Sequence, residues 1–255
     1  GRKDFWMRLH LSSWPEVETY LKGSRGIVVP VGSTEQHGPS GLIGTDVICP
    51  EVIALKAAEE AGFLVAPSFN VGIAPHHMGF PGTISLRPET MIAAMGDWVN
   101  SLATHGFERI YFFNGHGGNI GTIKAALAGF ATDPVLSAAS GNRGPVQVKC
   151  ANWWDFAPVM DFCRATYGAG HGSHATPSEI AVTQFAYPEA IKAVAGIAPK
   201  IAANGRYSDA ADFRAKFPDG RMGSDPTLAE PADGETLIGL SAAGLVADYD
   251  QFVRS

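Results

Sequence analysis

The stretch GIVVPVGSTEQHGPSGLIGTD, residues 26–46, decides the fold class. It opens on six residues, GIVVPV, that are apolar, rich in β-branched side chains and too few for a buried helix, so they predict a strand covered on both faces. A glycine-rich loop follows, carrying Glu35 and His37 and, at its far end, Asp46. Delivery of acids and an imidazole from the end of a buried strand suits an open parallel sheet, where ligands bind beyond the carboxyl ends of the strands.

The same alternation recurs on either side. Residues 63–67 (FLVAP), 109–113 (RIYFF) and 146–151 (VQVKCA) read as strands, and residues 88–105 and 119–130 as amphipathic helices. Strands alternating with helices predict an α/β chain with a mostly parallel sheet covered on both faces. The loops after the first, third and fourth strands hold VGSTEQHGPSGLIGTD, NGHGGN and NWWDF. Residues 203–235 are polar, with glycine, proline and aspartate and weak periodicity, and predict irregular surface structure or an oligomer contact. With no repeat and no long linker, residues 1–255 read as a single domain.

Composition excludes several classes. A 45% hydrophobic and 17% charged chain suits a well-buried core rather than a disordered tail. The net charge of -6, from 25 acidic and 19 basic residues without a dense Lys/Arg cluster, argues against a nucleic-acid partner. No apolar run reaches membrane-spanning length, and GRKDFWMRLHLSSW lacks the apolar segment of a secretory signal, so no membrane association and a cytoplasmic location are expected. Cys49, Cys150 and Cys163 have no CxxC spacing and read as free thiols, which leaves His and carboxylate to hold any metal.

Four clusters could carry chemistry. Glu35 and His37, two apart in extended chain, can point to one side with Asp46 as a bridging carboxylate; alternatively they are exposed turn residues and Asp46 opens a helix near residues 47–61. His116 in NGHGGN has glycines that free its imidazole to reach a ligand, with Gly117 beside it on the pocket side. A phosphate-cradling loop is the competing view, but the motif lacks a following Lys-Ser/Thr and does not match GxGxxG. In His171–Glu179, Thr176, Pro177 and Glu179 form a capping box, so Glu179 is a helix cap, a metal ligand or both, and His174 is the candidate for acid/base work. His76, His77 and Thr83 belong to a loop shaped by proline and glycine and are expected to line the substrate pocket. Trp153 and Trp154 are expected to pack, and His10 and His105 to be ordinary helix or surface residues. Neither GxSxG nor HExxH occurs, which leaves a His and carboxylate donor set suited to zinc, manganese or iron.

With these clusters together, the chain resembles the creatininase (creatinine amidohydrolase) family over nearly its whole length. The resemblance rests on VPVGSTEQHGP, Thr45-Asp46, GFPGT at residues 79–83, FFNGHGGN, NWWDF and the element from His174 to Glu179. It implies a three-layer α/β/α sandwich, two divalent metal ions per chain, and hydrolysis of a non-peptide C–N bond of cyclic amide or formamide type by a metal-bridging hydroxide. By position, Glu35, Asp46 and His116 would hold one metal, and His37, Asp46 and Glu179 the other. His174 would be the general acid. A small-molecule amide substrate and a homo-oligomer, with hexamers prominent, are also implied. Creatininase carries a Glu where this chain has Gly118, and a substrate-closing Trp where it has Gly168-Ala169-Gly170. The second metal's carboxylate must then come from elsewhere, and creatinine is not the expected substrate. Two other readings stand beside this one, an anion- or nucleotide-binding protein using NGHGGN and a non-catalytic metal-binding subunit.

Overall fold

The computed structural model describes residues 7–255; residues 1–6, on which the reading of the chain start partly rests, lie outside them. Four strands, β1 (Gly26–Val31), β2 (Leu64–Val65), β3 (Arg109–Asn114) and β4 (Gln147–Asn152), form one sheet in the order β2-β1-β3-β4. Every pairing is parallel, with Ile27 opposite Leu64 and Ile110, and Asn114 opposite Asn152. Three strands lie within a residue of their expected bounds. The second is shorter than expected: after Ala66 N donates to Val28 O, Pro30 of β1 has no N–H with which to extend the ladder.

The helices are α1 (Trp14–Leu21), α2 (Thr45–Ala61), α3 (Pro88–Thr104), α4 (Ile120–Thr132), α5 (Pro134–Ser137), α6 (Ala157–Tyr167), α7 (Pro177–Ala186), α8 (Ala210–Lys216) and α9 (Pro231–Arg254). The period-2 alternation of the strands sorts them into layers. Val28, Tyr111 and Phe113 pack on Ile53 of α2, Val159 of α6, Val182 of α7 and Leu237 and Leu245 of α9. Ile27, Val29, Val31, Ile110 and Phe112 meet Met91, Met95 and Val99 of α3 and Ile123 and Ala126 of α4 on the other face. The result is a three-layer α/β/α sandwich.

The strand order reverses between β1 and β3. The chain leaves β1 towards β2 on one side and returns as β3 on the other, which opens a crevice between their carboxyl ends. Two glycines allow α2 to close on that crevice. A Cβ at Gly32 or Gly115 would lie 2.3 or 2.1 Å from the Asp46 carbonyl oxygen, so any side chain there would push Asp46 away.

Residues 203–235 meet the surface reading over 203–209, which are exposed and irregular, and depart from it beyond. They hold α8 and the start of α9, Arg221 is buried with its guanidinium on the Pro199, Lys200 and Ser224 carbonyls, and Met222 pairs with His174. Arg221, Ser224 and Asp225 are buried on internal contacts, which periodicity does not register. No helix among the described residues is long and apolar enough to cross a membrane.

Candidate active site

The loop after β1 turns back on itself, with Glu35 N donating to Ile43 O and Gly41 N to His37 O. This places Glu35, His37 and Asp46 together at the switch point, all buried. His116 arrives from the loop after β3. That loop is fastened by two asparagines: Asn114 Nδ2 donates to His116 O (2.7 Å) and Asn152 Oδ1 (2.8 Å), while Asn119 Nδ2 donates to Gly32 O (2.9 Å) and its Oδ1 accepts from Ile73 N (2.9 Å). The asparagines of NGHGGN thus tie β1, β3 and β4 into one platform.

Three groups of side chains offer donor atoms close enough for a common metal: Glu35, Asp46 and His116; His37, Asp46 and Glu179; and Glu35, His37 and His174. The first two share Asp46, whose Oδ2 lies 2.8 Å from His116 Nδ1 and whose Oδ1 lies 2.9 Å from His37 Nε2. Glu179 Oε1 lies 3.2 Å from the same His37 nitrogen. Each ring has its other nitrogen on a main-chain oxygen: His116 Nε2 on Ile73 O (2.8 Å) and His37 Nδ1 on Glu35 O (3.1 Å). This is how metal-ligating histidines are held, with the second nitrogen setting tautomer and orientation. Moreover, buried Glu35 Oε1 and Asp46 Oδ2 accept no aligned hydrogen bond, although buried carboxylate oxygens ordinarily find a donor. The donor set fits divalent cations, which would occupy those lone pairs.

The charges agree. Burial drives the Glu35 carboxyl up to about 8. Burial alone would lower His37 and His116, yet Asp46 and Glu179 hold His37 well above the ordinary imidazole value, and Glu35 and Asp46 hold His116 at about 9. Burial would likewise raise Asp46, but the two imidazoles keep it well below the usual carboxylate range. The carboxylates draw positive charge to this spot, and in the metal-free chain protons supply it.

Glu179 does two things at once. Its Oε2 accepts from Thr176 N (2.7 Å) and Thr176 Oγ1 (2.8 Å), completing the capping box of α7, while Oε1 faces His37. A side chain at Gly118 is excluded, since its Cβ would sit 2.4 Å from His116 Nε2 and 2.6 Å from Ile73 O, on the bond that orients the imidazole.

His174 Nε2 lies 2.8 Å from Gln36 O, which leaves Nδ1 as a lone pair 3.7 Å from Glu35 Oε1. Burial and His37 push it well below the ordinary value, so it rests neutral. His77 is buried and stacked on His174 at 4.2 Å, with Nδ1 accepting from Gln36 Nε2 (2.8 Å) and Nε2 3.4 Å from Glu35. It supports the cluster as well as bordering the cavity. Thr83, expected in the pocket wall, instead accepts from Gln36 N at 3.1 Å and stands outside the lining.

A cavity of about 570 Å³ opens over the cluster, and His76, His77 and Gly117 border it. Trp153 and Trp154 border it too, beyond the packing expected of them, together with Tyr207 and His171. Gln36, whose amide also donates to Gly220 O (2.9 Å), was missed because its partners lie far away in sequence, whereas His171, placed behind His174 on sequence, bonds Ser178 at 2.8 Å. The adjacency of Gln36 to Glu35 and His37 was the one available hint. His10 and His105 are exposed, and the three cysteines are free thiols.

Comparison with known proteins bears on this site. A creatinine amidohydrolase from Pseudomonas putida is 34% identical over 110 residues, 41% of this chain and 42% of that protein. A mycofactocin precursor peptide peptidase from Mycolicibacterium smegmatis is 38% identical over 108 residues, 40% and 43% of the two chains. The matched segments thus span less than half the length of either relative. The crystal structure of a creatinine amidohydrolase (creatininase) superposes with a TM-score of 0.82 over 98% of both chains at 24% identity, and creatininases in a Zn–Zn and a Mn form share the fold at 0.81 and 0.76. The family model Creatininase, described as creatinine amidohydrolase, matches residues 10–248. The chain is a member of the creatininase family of hydrolases.

Proposed function

We propose that this chain, as one catalytic domain, uses two divalent metal ions, zinc, manganese or iron, to hydrolyse a non-peptide C–N bond in a small amide of the cyclic amide or formamide type. The observation that carries the reading is the pair of donor triads sharing Asp46, with each imidazole anchored by a main-chain carbonyl. Glu35, Asp46 and His116 would hold one ion and His37, Asp46 and Glu179 the other. When bound, such ions polarise a carbonyl and bring water towards ionisation near neutral pH.

The chain's own groups handle the protons. His174 rests neutral with Nδ1 free, so it takes a proton from the attacking water and delivers it to the leaving nitrogen as the C–N bond breaks. It therefore becomes the general acid only after acting as a base. Gln36 fixes the rings of His174 and His77 through its main-chain oxygen and side-chain amide, which keeps the Nδ1 lone pair of His174 towards Glu35.

Elemental analysis tests this directly. Close to two metals per chain are expected in the parent and about one in Glu179→Ala, with chelator-sensitive hydrolysis in the parent; no metal after reconstitution would refute the reading. A peptide C–N bond is the second reading, favoured by the peptidase relative. Anion binding at NGHGGN fits less well, because His116 faces two carboxylates. A homo-oligomer remains part of the proposal.

A further inference from the structure

The cavity has two unlike halves. One is the carboxylate and imidazole cluster, beside which Tyr207 stacks on His76 at 4.9 Å; the other is a wall of Trp153, Trp154, Met160 and Cys163. Trp153 and Trp154 meet edge to face, their centroids 6.0 Å apart, which fixes the wall's shape. Among the described residues lining the cavity there is no Lys or Arg, and no carboxylate besides Asp46 and Glu179. His171, which also lines the cavity, is held on Ser178 and kept below the ordinary imidazole value by burial, so it brings no cation.

Size and charge then restrict the occupant. A cavity of about 570 Å³ falls in the range of roughly 300–1,000 Å³ that encloses a drug-sized molecule, well beyond one small amide ring. An anionic substituent against the tryptophans would lose its water without gaining a counter-charge, whereas an apolar one gains from burial.

Resting on the amidohydrolase reading above, we infer that the substrate is a neutral amide extended on one side of its scissile bond by an aromatic or branched apolar group, which seats on the wall formed by Trp153, Trp154 and Met160.

The test uses the zinc-loaded full chain and three hydroxamic acids with the same metal-binding head: acetohydroxamic acid, 3-phenylpropanohydroxamic acid and the monohydroxamate of succinic acid. Dissociation constants follow from calorimetry, with zinc content measured in parallel. The phenyl compound should bind roughly 10- to 100-fold tighter than acetohydroxamic acid, and the succinyl compound no tighter than acetohydroxamic acid. Trp154→Ala should remove most of the phenyl advantage, and Met160→Lys should tighten the succinyl compound by at least about fivefold. If Trp154→Ala fails to retain zinc, the parent ranking and Met160→Lys decide. A parent that keeps zinc but prefers the succinyl compound, or gains nothing from the phenyl group, overturns this inference alone. A parent that holds no zinc and binds no hydroxamate overturns the metal-site reading, and this inference with it.

Discussion

The two donor triads are built on different foundations. Glu35, Asp46 and His116 stand at the ends of β1 and β3 and at the first turn of α2, on a platform fastened by Asn114 and Asn119, and all three are buried. The second triad keeps His37 and Asp46 on that platform but takes Glu179 from α7, where the carboxylate is also a helix cap and is partly exposed. One half of the site thus inherits its order from the sheet. The other depends on how a separate helix docks, which predicts unequal metal retention.

The largest expected effect comes from breaking what the two triads share. Asp46→Asn should lose at least one metal per chain by elemental analysis and turnover with it, since a bridging carboxylate both neutralises and spaces two cations. Retention of two metals would show that the triads do not share Asp46.

Next, His174→Ala should leave the metal content at the parent level and cut kcat by about 10²–10⁴-fold. Loss of a metal instead would assign His174 to the third donor group, with Glu35 and His37.

Stability should separate the two foundations. Asn119→Ala leaves Ile73 N and Gly32 O without their side-chain partner in a buried site, at about 1–3 kcal/mol for each group. Thr176→Ala removes a cap contact, typically about 1 kcal/mol. Urea unfolding with the smaller loss at Asn119 would reverse the ranking of platform over cap.

The smallest effect is in pH. In the metal-free folded chain, Glu35, raised to about 8 chiefly by burial, and His116, raised to about 9 by its carboxylates against burial, hold protons that the unfolded chain has largely released by pH 7. His116's contribution to stability is full below its ordinary value and lost as pH rises through about 9, and Glu35's raised value costs stability in the same direction. The metal-free Tm should therefore fall between pH 7 and 9. Zinc, which displaces these protons, should raise Tm more at pH 9 than at pH 7. A pH-independent zinc effect would mean the protons lie elsewhere.

Much of this was legible in the residues. The strand bounds around Gly26–Val31 and Arg109–Asn114 followed from short apolar runs closed by glycine or asparagine, and the capping box at Thr176 and Glu179 from local spacing. Glu35, His37, Asp46 and His116 stood out because polar residues after buried strands have few other reasons to be there. Thr83 misled, since a hydroxyl in a glycine- and proline-rich loop looks like a pocket contact until its partner, Gln36 N, is seen. Around Arg221 and Ser224 the polar run of residues 203–235 misled in the same way, because polar side chains that bond main chain inside the protein look in sequence like a solvated surface.

What the sequence determined by itself is set by interactions between residues near one another along the chain: the alternation of strand and helix, the caps, the donor types that can hold a metal. What only the tertiary structure decided joins distant segments. Glu179 meets His37 across 142 positions, Gln36 reaches His77, His174 and Gly220, and Trp153, Trp154 and Tyr207 come to wall one cavity. Residue type and spacing limit what such groups can do, but their encounter depends on the packing of α2, α7 and the sheet, a property of the whole core that no local pattern records.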